Sequence, residues 1–172
     1  MQIEVQKRQR RGLPEGLKEN KRLSAKISTY KKRIKGGDFN LKIEFETESS
    51  QIKPDELKPP LLLEESMFVI TDYEVVWLDV DKVVHRNVKR PHVLFSQERL
   101  WGIRCPIRMA RLIEFIEAGN KLFPAIIEPL GINDTVLIID GNHRIALFRF
   151  LKLSRAPFLV KKKHIRFIED LK

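Results

Sequence analysis

The sequence predicts an α+β protein with a mixed β-sheet and helices, preceded by a basic N-terminal helix and a short strand. The first observation is the order of elements over residues 67–160, where short apolar runs and amphipathic stretches follow as strand, helix, strand, strand, helix, strand. The second is the helical spacing of apolar residues over 14–35. The third is a strict period-two alternation over 41–47, which is typical of a half-exposed strand.

The N-terminal part has clear boundaries for its helix. Pro14 suits a first helical turn, and the pair Gly36-Gly37 is a stop signal. Residues 49–60 contain Lys-Pro and Pro-Pro pairs, which indicate a linker. We therefore expect two domains, residues 1–66 with the arm, helix, strand and linker, and residues 67–172 with the main domain and a basic tail.

The second half contains the elements of the main domain. Two strand-like runs surround Thr71-Asp72, residues 85–106 look irregular, and Gly119 follows a helix as a stop signal. Beyond 68–70 and 75–78, the predicted elements are a helix at 107–118, a hairpin of 125–127 with 135–139, a helix at 142–153 and a strand at 157–160. The predicted core comprises Val76, Leu78, Ile113, Ile116, Ile126, Ile138, Phe148 and Leu151.

Composition and charge narrow the classes of function. The chain has 172 residues and a formal net charge of +10. Residues 1–35 hold 12 Lys and Arg against 3 Asp and Glu, so the positive charge is concentrated there and predicts an anionic partner, usually a nucleic acid. No apolar run is long enough to span a bilayer and no secretory signal is recognisable, so we expect a cytoplasmic protein without membrane contact. The single cysteine, Cys105, excludes an internal disulfide.

The loop from Asp140 to Arg144 is the strongest candidate site, because apolar runs flank it on both sides. Gly141 gives a ligand access to the backbone, and the first turn of the next helix offers free N–H groups to a phosphate. Arg144 adds a forked cation, and His143 a hydrogen bond or proton transfer. Asp140 can cap the helix, orient its neighbours or help to hold Mg²⁺. The alternative is an ordinary turn with Arg144 as a solvated surface residue.

Six segments of the chain resemble the ParB/sulfiredoxin superfamily in their order and spacing. They are residues 74–83, 111–120, 123–127, 138–147, 151–153 and 156–160, so that the resemblance covers about residues 73–160. The resemblance implies a ParB/sulfiredoxin-like mixed sheet and a nucleoside triphosphate, ATP or CTP, at the loop. Gly141, Asn142, His143 and Arg144 would bind its phosphates, Asp140 and His143 would be catalytic, and Asp140 would hold Mg²⁺.

The branches of this superfamily differ in the loop. Sulfiredoxins carry a reactive cysteine where this chain has Asn142, so that activity is not expected. ParB partition proteins bind CTP with a Gly-Glu-Arg-Arg loop, which Gly141 and Arg144 match. Free-serine kinases have Asp-Gly-His-His-Arg, but their glutamate base is replaced here by Arg86, next to His85, unless Glu98 or Asp81 takes that role.

The leading hypothesis is a nucleotide-binding ParB-like protein, of the plasmid partition type, that associates with DNA. The alternatives are a free-serine-kinase-like phosphotransferase and a Mg²⁺-dependent nuclease with Asp79, Asp81 and Asp140. The sequence leaves open whether the protein is an enzyme and whether it forms a homodimer. Replacing Arg144 by Ala is expected to abolish phosphate binding and to leave the fold intact.

The basic N-terminal segment is the predicted DNA contact. The segment contains no recognition motif, so contact would be independent of DNA sequence, and the alternative is a merely solvated helix. The predicted contact residues are Lys7, Arg8, Arg10, Arg11, Lys21, Arg22, Lys31, Lys32 and Arg33.

Overall fold

The computed structural model describes residues 13–48, 72–88, 100–102, 105–131 and 135–172, with side chains from residue 17 onward. It divides into two compact units, residues 1–40 and 41–172. The predicted linker at 49–60, the predicted strand at 68–70 and the proposed domain boundary at 66/67 lie outside the described residues.

The first unit consists of helix α1, Leu13–Lys35, which confirms the predicted basic helix. The chain leaves it through Gly37, whose φ of 75° is left-handed and favours glycine. Beyond this turn the Phe39 ring packs edge-on against Tyr30 at 6.3 Å between ring centres. The Arg33 guanidinium lies over both rings, at 5.8 and 5.6 Å from their centres.

The second unit is built on a four-stranded mixed sheet, as predicted. Its strands are β1 (Tyr73–Asp79), β2 (Ala125–Pro129), β3 (Val136–Asp140) and β4 (Arg155–Lys161). They lie in the order β1-β4-β2-β3, in which β4 pairs antiparallel with β1 and parallel with β2. The predicted hairpin is confirmed, since β2 and β3 pair antiparallel.

The described part of this unit contains three α-helices: α2 (Val80–Arg86), α3 (Pro106–Glu117) and α4 (Asn142–Phe150). Helices α3 and α4 were predicted, whereas α2 was not, and it extends into the start of the expected irregular region. Short 3₁₀ helices lie at Leu100–Gly102, Lys162–Phe167 and Glu169–Leu171. Among the described helices, none is long and apolar enough to cross a membrane.

The core lies between the sheet and its helices. Seven of the eight predicted core residues are buried, while Leu151 is half-buried because α4 ends at Phe150 and Leu151 lies in the turn that follows. Five of the seven residues of β4 are buried, as expected for a central strand. The close-packed core fixes the C-terminal end of β3 and the N-terminal end of α4, where the candidate loop lies.

The alternating segment 41–47 is not a strand, which corrects the prediction. It runs alongside residue Leu122 with a single bridge at Phe45. Two backbone bonds flank this bridge, Glu46 N–H to the Leu122 carbonyl (2.9 Å) and Leu122 N–H to the Glu44 carbonyl (2.8 Å). The Phe45 ring packs edge-on against Trp77 and Phe148. The alternation therefore correctly indicates an extended chain with one face packed against the protein. The segment has a single β-bridge rather than a β-ladder.

Candidate functional site

Gly141 forms the corner between β3 and α4. Its φ of 97° lies in the region that only glycine adopts readily. A Cβ added here would lie 2.5 Å from the Cβ of Ala125, closer than real Cβ atoms come, and 3.0 Å from its Cα, which is also tight. The predicted need for glycine is thus physical: the loop backbone lies directly against β2.

Arg144 is held inside the protein and is not the solvated surface residue of the alternative interpretation. Its Nη1 donates to the carbonyl oxygens of Phe123 (2.7 Å) and Pro124 (3.0 Å), and its Nη2 to Oδ2 of Asp140 (2.5 Å). Only 14% of its side chain is exposed. Burial lowers the pKa of Arg144 and the Asp140 carboxylate opposes this, so the guanidinium remains charged and paired. The expectation that Arg144→Ala leaves the fold intact assumed an exposed arginine, and this assumption is wrong.

A cavity of about 390 Å³ opens in front of the loop. The first N–H groups of α4 have no partner within the helix, and the N-cap residue, Gly141, has no side chain to satisfy them. They give this end of the helix a partial positive charge. The residues that line the cavity are Arg108, Arg111, Leu112, Phe115, Leu122, Phe123, Asp140, Gly141, Asn142, His143 and Arg144.

His143 joins the loop to the start of α3. Its Nε2 lies 3.3 Å from the carbonyl oxygen of Cys105, so this nitrogen carries the proton and Nδ1 has the lone pair. Burial lowers the pKa of His143, and the charges of Arg108 and Arg144 act in the same direction. The bond to Cys105 and the charge of Asp140 oppose the shift. His143 is therefore a neutral ring near pH 7.

Helix α3 adds residues that the sequence did not assign to the site. Arg108, Arg111, Leu112 and Phe115 recur at helical spacing, and all four line the cavity. The two arginines are exposed, and 40% of Phe115 is exposed although it is a large apolar side chain. The sequence did contain a signal for this part of the site: Phe115 lies outside the core face of the helix, and Arg111 and Arg108 precede it by four and seven residues, on the same side.

The Asp140 carboxylate is already engaged in an ion pair. Its carboxylate accepts the Arg144 guanidinium, so of its predicted roles the structure supports the orienting one. Among the described residues, no group of three or more His, Cys, Asp or Glu could hold a metal ion. Asp79 instead caps α2 by accepting the N–H of Lys82 (2.8 Å), and Asp81 pairs with Arg149 (2.8 Å). The expected nuclease cluster of Asp79, Asp81 and Asp140 is therefore not formed, and Mg²⁺ at Asp140 stays a prediction.

The positions considered for a kinase base are likewise taken up in other contacts. The Nδ1 of His85 lies 2.7 Å from the Asp81 carbonyl oxygen, and Arg86 pairs with Asp170. Since Asp81 already pairs with Arg149, it is not a free base. Glu98 lies outside the described residues.

The predicted DNA-contact residues fall into three groups. Lys7, Arg8, Arg10 and Arg11 lie outside the described residues. On α1, Lys21, Lys31 and Lys32 are exposed. Arg22 pairs with Glu19 at 2.9 Å, and Arg33 packs over aromatic rings and donates to the Asp38 carbonyl.

Comparison with protein-family models, with curated proteins and with solved structures finds no match for this chain. The class defined by fold and site is an α+β protein with a mixed four-stranded sheet and a basic-rimmed cavity at a helix N-terminus. The resemblance to the ParB/sulfiredoxin superfamily stays a prediction.

Proposed function

We propose that the cavity binds a nucleotide, with its phosphates against the first turn of α4. The observation that carries the proposal is the uncapped N-terminus of α4 behind Gly141, open to a cavity whose rim holds Arg108 and Arg111. Free N–H groups and the helix dipole favour an anion there, and arginines match the geometry of phosphate oxygens.

The two ends of the cavity differ in chemistry, which favours a nucleotide over a bare phosphate. Arg108 lies beside His143 at the start of α3, whereas Phe115 lies seven residues later, about 10 Å along the helix axis. Phe115, together with Leu112, Leu122 and Phe123, supplies an apolar wall. A ligand with an anionic end and a flat apolar end satisfies both regions, and the volume suits a small-molecule site.

The roles of the two kinds of arginine follow from their partners. Arg144 already donates to three protein oxygens, so its main role is to hold the loop against β2. Arg108 and Arg111 are exposed and make no ion pair with any described residue. They therefore carry most of the charge that is available to a ligand. His143, as a neutral ring, contributes a lone pair rather than a charge.

Calorimetric titration with ATP, CTP and inorganic phosphate, with and without Mg²⁺, tests this proposal. We expect at least one nucleotide to bind more tightly than phosphate. Arg108→Ala should weaken the binding of that nucleotide by about 10- to 150-fold, because a hydrogen bond to a charged group contributes roughly 1.5 to 3 kcal/mol. Lys42→Ala is the matched control, since Lys42 is an exposed cation of the same unit outside the cavity. The proposal is wrong if no nucleotide binds, or if the Arg108 and Lys42 variants bind the nucleotide with equal affinity.

A second proposal concerns α1, which we propose contacts DNA through its exposed lysines without reading sequence. Support comes from Lys21, Lys31 and Lys32, which are exposed on a helix with three basic residues in its last turn. For Lys31→Ala combined with Lys32→Ala, the slope of log affinity against log salt on duplex DNA should fall by about 0.9 for each phosphate that the variant no longer neutralises. If the salt slope is unchanged, the proposal is wrong and α1 is only a solvated helix.

The phosphotransferase and nuclease alternatives receive less support. A kinase needs a base on the substrate hydroxyl, and Asp81, His85 and Arg86 are all held by other groups. A two-metal nuclease needs clustered carboxylates, which the described residues do not form.

A further inference from the structure

The 3₁₀ helix Lys162–Phe167 forms a surface that neither proposal above uses. Four of its six residues are Lys, His or Arg, and Lys161 precedes it at the end of β4. Its position is fixed from the C-terminal side, where Ile168 and Leu171 are completely buried. Lys82 also donates to the Asp170 carbonyl at 2.9 Å. The segment is therefore a shaped surface of the second unit.

The acids that the structure describes around this surface do not neutralise its charge. Glu128 pairs with Lys161 (3.5 Å), Glu169 with Lys172 (2.8 Å) and Asp170 with Arg86. The remaining cations, Lys162, Lys163 and Arg166, are exposed and have no ion pair with any described residue. Lys161, Lys162 and Lys163 also line a cavity of about 410 Å³ together with Asp72. The surface is net positive even with Asp72 included.

An exposed aromatic ring lies within this charge. In a 3₁₀ helix residues three apart are eclipsed, so Lys163 and Arg166 form one row and His164 and Phe167 the next. The His164 and Phe167 rings are 6.3 Å apart, and the Arg166 guanidinium lies over the Phe167 ring at 4.7 Å. Phe167 is 40% exposed. Burial lowers the pKa of His164, and Lys163 adds to this, so the ring is neutral near pH 7 and acts as a flat surface.

We propose that Lys161–Phe167 is a binding surface for single-stranded nucleic acid, with lysines on phosphates and a base stacked on Phe167. Flat side chains interleaved with cations are what sequence-independent single-strand binding requires. A membrane surface fits less well, because Phe167 is the one exposed large apolar side chain of this helix and an interfacial segment needs a broad apolar face. A duplex fits less well too, since its stacked bases cannot reach the ring.

The experiment is fluorescence anisotropy of the full chain with a labelled oligo-dT about 12 nucleotides long, within the range of single-strand site sizes. Phe167→Leu should weaken binding by about 5- to 150-fold, which corresponds to removing one base–aromatic stack, while Phe167→Tyr should retain affinity. Lys162→Ala combined with Lys163→Ala should lower the salt slope by about 0.7 for each phosphate that the variant no longer neutralises. Circular dichroism checks that each variant is folded.

Lys42→Ala combined with Lys121→Ala is the matched control, because both lysines are exposed, belong to the same unit and line neither cavity. Weaker single-strand binding in the Lys162 and Lys163 variant than in this control supports the proposal. It is overturned if Phe167→Leu binds oligo-dT like the parent, or if the Lys162 and Lys163 variant binds oligo-dT as tightly as the control. It is equally overturned if the chain binds vesicles of phosphatidylserine and phosphatidylcholine through Lys162 and Lys163 but does not bind oligo-dT. Nucleotide titration at the α4 cavity is independent of all these outcomes.

Discussion

Replacing Gly141 by Ala tests whether the loop lies against β2 as described. The φ of 97° adds backbone strain of about 1 to 2 kcal/mol for a residue with a Cβ. The new methyl would also lie 2.5 Å from the Cβ of the buried Ala125, which forces the loop or β2 to shift. Overpacking of this kind costs about 1 to 3 kcal/mol. We therefore expect a total loss of about 2 to 5 kcal/mol in the free energy of unfolding.

Gly119→Ala is the matched control for this substitution. Gly119 has a φ of 80°, but nothing lies within 4 Å of a Cβ placed there. It should cost only the backbone strain, about 1 to 2 kcal/mol. Urea unfolding followed by circular dichroism measures both variants, and an unchanged m-value shows that stability alone has changed.

A double substitution isolates the steric part of the effect. Combining Gly141→Ala with Ala125→Gly removes the methyl that the new Cβ would meet, so part of the loss should be recovered. Glycine in a strand itself costs about 0.5 to 1 kcal/mol, which limits the recovery. If Gly141→Ala costs no more than Gly119→Ala, the loop does not lie against Ala125, and the geometry of the site is wrong.

Four other substitutions probe the same region and its core. Arg144→Ala should destabilise by about 2 to 4 kcal/mol in thermal or urea unfolding, because it leaves a carboxylate and two carbonyls without a donor; full stability would contradict the role of Arg144 in holding the loop. Ile138→Ala, at a buried position, should lower the free energy of unfolding by about 2 to 5 kcal/mol, and Leu151→Ala, at a half-buried position, by clearly less. Equal losses in the two variants would contradict the different burial of these side chains. The pKa of His143 is lower in the folded than in the unfolded state, so the folded state favours the neutral ring. The contribution of His143 to the stability of the fold is therefore fully present above about pH 6.5, its ordinary pKa, and is lost as the pH falls below that value. A His143→Asn variant should show a shallower loss of stability on acidification, with the remainder from His164, whose pKa is also lowered.

Much of the fold was predictable because its strands and helices carry strong local signals. The apolar run of β3 and the amphipathic pattern of α3 both appear where expected. Helix α2 was missed because three of its seven residues are valine, which favours strands. Asp79, which caps α2, was the available signal for its start.

The site was only partly predictable, since its decisive contacts join distant parts of the chain. The pattern around Gly141 correctly indicated a strand-to-helix corner with free N–H groups. The burial of Arg144 depends on the Phe123 and Pro124 carbonyls, about 20 residues earlier in the sequence. No local pattern contains that information. Local periodicity also cannot tell which side of α3 borders a cavity, so Arg108 and Phe115 went unassigned.

The place of β4 in the sheet has a consequence for the order of folding. Residues 125–161 contain β2, β3, α4 and β4, which are close in sequence and can assemble early. Strand β1 pairs along its whole length with β4, yet these strands lie at 73–79 and 155–161, so their pairing must close a long loop. We therefore expect β1 to dock after the rate-limiting step. Substitutions in β1 should accelerate unfolding and leave the folding rate nearly unchanged, whereas substitutions in β3 or α4 should slow folding.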